Sequence, residues 1–332
     1  MDQESVQSNR DDRSAAGGGL PCGLSVVVPC FNSEGTLPNL IEELSAIIHT
    51  AGGPAEVILV NDGSRDGTWN VIDRLAREHD FVVGIDLMRN YGQHNATLCG
   101  IRAARYDKIV TMDDDLQNPP AEIPRMLEKL EQGFDVVYGV PREPVQSWWR
   151  TLSSFLTKRA VALATGQAAV TDLSAFRAFR TRIRDASAAY RSPQIQIDVL
   201  LGWGTARITG IEVDWRARTI GRSNYGLLAL FNHAALLWTG YTTAPLRLAS
   251  LVGFAFVLFG AMILAYVVGR FLLEGSVPGF PFLAASIAIF GGVQLFALGI
   301  IGEYLARIHD RNLDRPTYVI AGIADAKRKT DA

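Results

Sequence analysis

Two long uncharged stretches near the C-terminal end of the chain constrain the fold more than any other feature of the sequence. Residues 248–269 contain no charged side chain, and residues 279–302 contain one strongly polar side chain, Gln294. As an α-helix the first stretch would be about 33 Å long, which is enough to cross the hydrocarbon core of a bilayer. Two buried core helices are the alternative, but runs of this length are rare in soluble proteins. We therefore predict a transmembrane hairpin over residues 244–302.

The charges that flank the two stretches predict how the hairpin is oriented. The connection between them carries Arg270 and Glu274, and arginine is more frequent outside them. Because lysine and arginine favour the cytoplasmic side, we expect both termini in the cytoplasm and a multi-pass protein of the inner membrane. The catalytic domain would then be cytoplasmic, and residues 303–332 would form a cytoplasmic tail. The flanking arginines are Arg247, Arg307, Arg311 and Arg315.

Residues 226–243, just before the hairpin, are rich in Leu, Ala, Phe and Trp, but Asn232 and His233 interrupt the apolar pattern. The stretch is also polar at its ends. We predict an interfacial helix that places Trp238 and Tyr241 at the level of the lipid headgroups. A third membrane span is the alternative.

The N-terminal residues 1–22 are polar and include three consecutive glycines at positions 17–19. They lack the apolar segment of a signal peptide, so we expect a disordered tail. The three cysteines of the chain exclude a disulfide scaffold and fit a reducing compartment.

Residues 23–225 alternate short apolar runs with stretches of helical periodicity. The apolar runs are 24–28, 56–60, 81–87, 108–112 and 135–138, and the helical stretches include 37–51, 68–78 and 122–132. This alternation predicts an α/β domain with a parallel sheet and helices on both faces. Ligands of such sheets bind at the carboxyl ends of the strands. The residues that follow each apolar run are therefore the candidates for a functional site.

Charge is distributed unevenly along the chain although the net charge is only −2. Residues 1–141 contain 11 Lys and Arg against 22 Asp and Glu, whereas residues 142–222 contain 13 against 6. A basic block within an acidic protein predicts an anionic partner. Because the block precedes the apolar third of the chain, a lipid headgroup or lipid phosphate fits better than nucleic acid, for which no module is visible.

An acidic motif, Asp113-Asp114-Asp115-Leu116-Gln117, directly follows the fourth apolar run. On an extended segment Asp113 and Asp115 would share one face and Asp114 would point away. Two carboxylates with an amide oxygen nearby suit Mg²⁺ or Mn²⁺, which commonly holds a diphosphate and stabilises its departure. A solvated acidic turn is the alternative interpretation.

Three other polar segments also follow apolar runs. Residues 61–67 contain Asp62, which could reach a nucleotide base, but their composition is also typical of a turn. Residues 28–34 could contact a nucleotide or simply cap the next helix. Residues 89–95 contain His94, and a single histidine of this kind is most often structural.

The order and spacing of these segments resemble the family 2 glycosyltransferases, which have the nucleotide-diphosphosugar fold called GT-A. The resemblance extends from about residue 24 to residue 319 and is strongest to the membrane-anchored polyprenyl-phosphate glycosyltransferases. It implies a GT-A domain, an interfacial helix and a two-helix transmembrane hairpin. The matching segments are 28–34, 61–67, 89–95, 113–120, 135–139, 171–180, 218–225, 242–251 and 302–318.

The resemblance also implies roles for individual residues. Asp113 and Asp115 match the metal-binding pair for Mg²⁺ or Mn²⁺, Gln117 matches the glutamine that follows it, and Asp62 matches the residue that reads the base. We place at the donor Pro29, Asn32, Glu34, Asp62, Asp113 and Asp114. The residues expected in catalysis are Asp172, Arg142 and Arg218. Those expected at the lipid phosphate are Arg142, Arg150, Arg218, Ser223 and Tyr225.

The predicted function is inverting transfer of a sugar from a nucleotide diphosphosugar, UDP-linked rather than GDP-linked, to a polyprenyl phosphate of the undecaprenyl type. It would supply a lipid-linked sugar for the cell envelope, and the enzyme could form a homo-oligomer. A processive polysaccharide synthase should show a Gln-x-x-Arg-Trp motif and more spans. A non-catalytic membrane adaptor would not need the acidic pair. A dinucleotide-binding oxidoreductase is excluded because its glycine-rich segment would follow the first strand.

Overall fold

The computed structural model describes residues 20–51, 53–142, 174–186, 195–216, 244–274, 279–313 and 315–326. Within these ranges eight strands form one mixed sheet flanked by helices. The strands are β1 Leu24–Cys30, β2 Ala55–Asn61, β3 Val82–Leu87, β4 Lys108–Thr111, β5 Val136–Pro141, β6 Arg177–Arg180, β7 Ile208–Val213 and β8 Ile320–Asp325. The helices are α1 Leu37–Ala51, α2 Thr68–Glu78, α3 Gln93–Ala103, α4 Ile123–Glu131, α5 Thr181–Ala186, α6 Ile197–Gly204, α7 Ala244–Glu274 and α8 Phe280–Asn312.

The strands lie in the order β7-β5-β6-β4-β1-β2-β3-β8. The pairs β1–β2, β2–β3, β1–β4 and β5–β7 are parallel, while β6 and β8 run antiparallel to their neighbours. All seven residues of β1 are buried, as expected for a central strand that is covered on both faces. The predicted α/β fold class is therefore confirmed.

Two apolar clusters cover the two faces of the sheet. One face packs against the amphipathic helices α1, α2 and α4, through residues such as Leu40, Ile72 and Met126. The other packs against α3 and α6, through residues such as Leu98 and Leu200. Burial of apolar side chains on both faces is the main favourable term that holds such a layered domain together.

The helices α7 and α8 have 31 and 33 residues and are long and apolar enough to cross a membrane. None of their apolar windows is buried by the rest of the protein. They contact each other, with the rings of Phe256 and Phe290 6.0 Å apart in an edge-to-face arrangement. The two-helix hairpin is therefore confirmed, and both helices extend beyond the predicted stretches 248–269 and 279–302.

Two predictions about the ends of the chain have different outcomes. The cytoplasmic tail predicted over residues 303–332 is in part regular structure, because α8 continues to Asn312 and β8 joins the sheet beside β3. The sequence did not indicate β8, because strand pairing over such a sequence distance leaves no local pattern, and the cytoplasmic location of residues 303–332 stays a prediction. The tail at residues 1–19 and the interfacial helix 226–243, with Trp238 and Tyr241, lie outside the described residues.

Candidate active site

The predicted site residues that follow β1, β2 and β4 lie at one edge of the sheet, which we call the carboxyl edge. It consists of the carboxyl ends of β1, β2, β3 and β4 and the residues that follow each strand. The chain order of the strands reverses between β1 and β4. In open α/β sheets the crevice at such a reversal is where ligands bind.

The segments that follow β1 and β2 are held together by hydrogen bonds. The Asn32 side-chain oxygen accepts a hydrogen bond from the Arg65 backbone N–H at 2.9 Å, and the Asn32 N–H donates to Ser64 Oγ at 3.0 Å. Glu34 Oε2 accepts from the Gly67 N–H at 2.8 Å. Asn32 also has a left-handed backbone, which asparagine tolerates well. The two predicted donor residues Asn32 and Glu34 are therefore exposed but fixed in position.

Asp62 joins the segment after β2 to the segment after β3. Its two carboxylate oxygens accept hydrogen bonds from the N–H groups of Tyr91, at 2.7 Å, and Gly92, at 2.9 Å. Burial raises the pKa of Asp62, and the two hydrogen bonds oppose that shift. Gly63 has φ +62°, and an added Cβ would lie 2.5 Å from the Arg89 carbonyl carbon. The structure thus shows a structural role for Asp62, and its contact with a base stays a prediction.

The acidic motif is not a continuation of β4. The strand ends at Thr111, and the chain then turns, with Leu116 at φ 60°. A left-handed backbone is costly for a residue with a bulky side chain and occurs mostly at functional sites. The chain is thus bent rather than extended at residues 114–116, and the shared face of Asp113 and Asp115 stays a prediction.

Each of the two predicted metal ligands accepts a hydrogen bond in this segment. Asp113 Oδ1 accepts a hydrogen bond from Gln93 Nε2 at 2.6 Å, which links the motif to the first residue of α3. Asp115 Oδ1 accepts one from the backbone N–H of Gln117 at 3.1 Å. Both aspartates are partly exposed.

Asp114 faces the segment after β1. Its Oδ2 accepts a hydrogen bond from the Phe31 N–H at 3.2 Å and another from the Ser33 hydroxyl. Burial raises the pKa of Asp114, while these hydrogen bonds act in the opposite direction. Asp114 therefore holds the segment after β1 against the acidic motif.

The donor atoms of the motif fit a divalent metal. Carboxylate oxygens from Asp113 and Asp115 and the side-chain oxygen of Gln117 are the hard ligands that Mg²⁺ and Mn²⁺ prefer. Among the residues that the structure describes, no cluster of three or more acidic, histidine or cysteine side chains could hold such an ion. A metal bound by the motif would therefore complete its coordination with water or with diphosphate oxygens, as Mg²⁺ commonly does.

The remaining predicted residues have mixed outcomes. Pro29 is buried within β1, so its side chain is not at the surface of the site. Arg142 directly follows β5, and its Nη1 lies 3.4 Å from Asp214 Oδ1, with both side chains well exposed. Five predicted residues lie outside the described ranges, namely Arg150, Asp172, Arg218, Ser223 and Tyr225.

The described arginines of the basic block are paired within the protein. All seven lie within 4.0 Å of a carboxylate, and four of them pair with carboxylates in the acidic first 141 residues. The sheet brings the two oppositely charged parts of the chain together. These pairs offset part of the positive charge of the described arginines, and six further basic residues of the block lie outside the described ranges. The seven paired arginines are Arg142, Arg177, Arg180, Arg182, Arg184, Arg207 and Arg216.

Asp135 accepts hydrogen bonds from two of these arginines, Arg182 and Arg207. Burial alone would raise the pKa of Asp135, but hydrogen bonds from Arg182, Thr205 and Arg207 outweigh it and lower that pKa to about 2. Thr205 Oγ1 donates at 2.7 Å and Arg207 Nε at 2.9 Å. These contacts connect the start of β5 to the segment before β7.

This pairing predicts acid sensitivity. Because folding lowers the pKa of Asp135, its contribution is complete above its unfolded pKa of about 4 and is lost as the pH falls towards 2. Asp135→Asn should lower the free energy of unfolding by up to about 2 kcal/mol at pH 7, and by progressively less below pH 4. Denaturant titrations of the detergent-solubilised protein at several pH values would measure this. Asp73→Asn, which alters an exposed helical pair with Arg77, is the control. A pH-independent difference for Asp135→Asn would contradict the prediction.

A buried arginine that the sequence analysis missed lies beneath the site. Arg177, on β6, is 4% exposed and forms an ion pair with Asp198 at the start of α6. Its Nε donates to Thr111 Oγ1 at 3.0 Å, and Tyr138 OH donates to Asp198 Oδ1 at 3.0 Å. Burial raises the pKa of Tyr138. In the sequence, Arg177 is marked only by its position in a short strand with apolar neighbours. That position does not identify Asp198 and Thr111 as its partners.

The Arg177 network connects the strands that lead to the predicted site residues. Thr111 ends β4 just before the acidic motif, and Tyr138 is on β5, which leads to Arg142. Thr111 Oγ1 also donates to the Ala175 carbonyl oxygen at 2.8 Å, in the segment that follows position 172. The network therefore fixes three chain segments relative to one another.

The fold is an α/β sheet domain of the GT-A type followed by a hairpin of two long apolar helices. Residues 25–188 match the model of the glycosyl transferase family 2. The chain belongs to this family and is an enzyme of the glycosyltransferase class.

Its similarity to known proteins extends over almost the whole chain. It is 38% identical to the undecaprenyl-phosphate 4-deoxy-4-formamido-L-arabinose transferase of Aeromonas hydrophila, over 90% of this chain and 92% of that protein. The proteins of the same name from Pseudomonas aeruginosa and Proteus mirabilis are 38% and 36% identical, over 91% and 92% of this chain and 91% and 95% of theirs.

A solved structure has a similar fold. Glucosyl-3-phosphoglycerate synthase from Mycobacterium tuberculosis, in complex with Mn²⁺, UDP and phosphoglyceric acid, has a TM-score of 0.50 and 21% identity. The match covers 68% of this chain and 78% of that chain. This likeness supports the α/β architecture of the catalytic domain.

Proposed function

We propose that this enzyme transfers 4-deoxy-4-formamido-L-arabinose from a UDP-linked donor to undecaprenyl phosphate, at the cytoplasmic face of the inner membrane. The observation that supports this most is that the acidic motif lies at the carboxyl edge of a sheet in a chain that also has two membrane-spanning helices. The sugar and the lipid are those named for relatives that match nine-tenths of the chain. The product would supply a lipid-linked sugar for modification of the cell envelope.

The site suits a reaction in which the acceptor needs little activation. A phosphate monoester is already an anion at neutral pH, so it can attack without a strong general base. Catalysis then depends on positioning and on stabilisation of charge. In-line attack on the anomeric carbon would form the new C–O bond, release UDP and invert the configuration of the sugar.

Each part of the chain would have a distinct task. When bound, Mg²⁺ or Mn²⁺ would offset the negative charge of the departing diphosphate. Asp113, Asp115 and Gln117 would hold the ion, and Asp114 would keep the first loop in the shape that receives the nucleotide. The roles of Asp172 and Arg218 stay predictions.

The test is a direct assay of the purified protein in proteoliposomes that contain undecaprenyl phosphate. UDP-4-deoxy-4-formamido-L-arabinose should yield a glycosylated lipid, identified by mass spectrometry, and EDTA should abolish its formation until Mn²⁺ is restored. UDP-glucose and GDP-mannose serve as alternative donors. Faster transfer from either of these donors would show that the proposed sugar is wrong, although the protein would still be a glycosyltransferase. Polymer formation would indicate a processive synthase.

Arg142 provides a sharper test of how the acceptor is held. Arg142→Ala should raise the apparent KM for undecaprenyl phosphate, or lower turnover, about ten- to a hundredfold, because one charge-assisted contact to a phosphate contributes roughly 1.5–3 kcal/mol. Affinity for UDP should stay nearly unchanged. Arg142→Lys should recover part of the loss, since it keeps the charge but not the planar fork.

Arg77→Ala is the matched control, because Arg77 is also exposed and paired with an aspartate but lies on α2 away from the carboxyl edge. Separate titrations of donor and lipid would assign Arg142. Tenfold weaker UDP binding with an unchanged dependence on lipid would place this arginine at the donor diphosphate.

A further inference from the structure

The last strand of the chain connects the membrane hairpin to the edge of the catalytic sheet. β8 follows α8 after a short link and pairs with β3 in an antiparallel register, with Ile320 opposite Leu87 and Asp325 opposite Val83. The Met88 N–H donates to the Val319 carbonyl oxygen at 2.9 Å, which extends the pairing by one step. We call residues 317–325 the C-terminal strap.

The direction of the strap determines where the chain from the membrane meets the catalytic domain. β3 ends at Leu87, on the carboxyl edge, and β8 runs the opposite way. The strap therefore enters the sheet at the edge that carries the acidic motif and leaves towards the other edge. A parallel strand in this position would have brought the membrane segment to the far side of the domain.

The length of the link limits how far the carboxyl edge can lie from the hairpin. α8 has 33 residues and is about 50 Å long, so it extends well beyond a hydrocarbon core of about 30 Å. Residues 313–319 connect its end to β8 and can span at most about 25 Å. The carboxyl edge is thus held close to the end of α8.

Specific contacts fasten the strap to the domain. Asp325 Oδ2 lies 3.0 Å from Arg105 Nη2, and the Arg102 guanidinium lies 5.9 Å from the centre of the Tyr318 ring. Ala324 is buried above Gly84, where an added Cβ would lie 3.3 Å from the Ala324 Cβ.

The same contacts lead towards the active site. Arg102 lies in the last turn of α3, and Arg105 follows that helix closely. The first residue of α3, Gln93, donates to Asp113 in the acidic motif. One helix therefore contacts the strap at one end and the predicted metal site at the other.

We infer that the C-terminal strap is a positioning element that keeps the carboxyl edge turned towards the membrane surface, where the phosphate of an embedded lipid lies. This inference rests on the proposed function, since it concerns how the same site reaches its acceptor. The strap is not needed for the chemical step. The strap would hold the catalytic domain near the membrane in one orientation. The site then meets the lipid phosphate at a higher effective concentration and in a reactive geometry.

Two substitutions at neighbouring positions separate this role from general stability. Ala324→Glu would place a charge in the buried contact with Gly84 and detach the strap, because an unpaired charge is costly to bury. Ile323→Glu adds the same charge at the preceding residue, which is 38% exposed, and is the matched control. Tyr318→Ala is a milder variant that removes the contact with Arg102 and some apolar packing without adding a charge.

The first measurement compares two acceptors, undecaprenyl phosphate in liposomes and geranyl phosphate in solution. Ala324→Glu should lower kcat/KM for the embedded lipid about tenfold or more, while transfer to the soluble acceptor and UDP binding change less than about twofold. Ile323→Glu should resemble the wild type with both acceptors. Equal losses with both acceptors, or loss of UDP binding in both Ala324→Glu and Tyr318→Ala, would overturn the inference.

The second measurement does not depend on transfer. A fluorescent UDP analogue bound to the reconstituted protein should transfer energy to headgroup-labelled lipids more efficiently in the wild type and Ile323→Glu than in Ala324→Glu. Equal efficiencies in all three proteins would refute the strap as an orienting element. Absence of transfer by the wild-type protein would instead refute the proposed function, and the energy-transfer result would still decide the role of the strap.

Discussion

Replacement of Asp115 by alanine should reduce sugar transfer at least about a hundredfold, a loss of roughly 2.7 kcal/mol in transition-state stabilisation. Asp115 lies in the turn after β4, and its Oδ1 accepts a hydrogen bond from the Gln117 N–H. The substitution removes one of two carboxylates proposed to hold the metal that stabilises the diphosphate. Mn²⁺-dependent binding of UDP should disappear with it, as measured by calorimetry with and without Mn²⁺.

The neighbouring Asp114 makes this experiment more specific. Asp114→Asn leaves the proposed metal ligands Asp113 and Asp115 unchanged. It weakens the contacts of residue 114 with Phe31 and Ser33. It should therefore weaken UDP binding both with and without Mn²⁺. Asp80→Ala changes an exposed aspartate before β3, at the opposite edge of the sheet, and should have no effect. A transfer rate above about a tenth of the wild-type rate in Asp115→Ala, a loss below about 1.4 kcal/mol, would contradict the proposed role.

The parts of the fold that follow from local pattern were predictable from the sequence. The predicted helices 37–51 and 68–78 have the bounds of α1 and α2, because each presents an apolar stripe to a sheet that covers it. The two apolar helices were equally clear, since length and absence of charge identify a membrane span without knowledge of the rest of the fold.

The features that the sequence did not reveal depend on partners far along the chain. β8 pairs with β3 more than 200 residues earlier, and nothing in its own composition indicates this. The bend of the acidic motif requires a left-handed Leu116, which no residue preference predicts. The basic block predicted an anionic partner, and two of its arginines, Arg182 and Arg207, share Asp135 within the protein. Composition shows how many charged side chains a segment has. The topology of the sheet determines which of those side chains form ion pairs.

Arg177 illustrates how such a distant pairing can be tested. Arg177→Met should lower the free energy of unfolding by about 3–5 kcal/mol, because it leaves Asp198 as an uncompensated charge in the interior. Thr111 would also lose the hydrogen bond from Arg177 Nε. Arg177→Lys keeps the charge but lacks the planar guanidinium that contacts both partners, so a smaller loss is expected. Denaturant titration of the detergent-solubilised protein would give these values.

The double variant Arg177→Met/Asp198→Leu separates stability from positioning. Replacing a whole buried ion pair by apolar side chains is often neutral or stabilising, so this variant should recover most of the stability lost in Arg177→Met. Its transfer rate should remain reduced, because Thr111, just before the acidic motif, still lacks its partner on β6. If the double variant regained both stability and activity, Arg177 would serve stability alone. If Arg177→Met were as stable as the wild type, Asp198 would not be a buried charge in the variant. A carboxylate that is hydrated by water does not require a nearby cation to be stable.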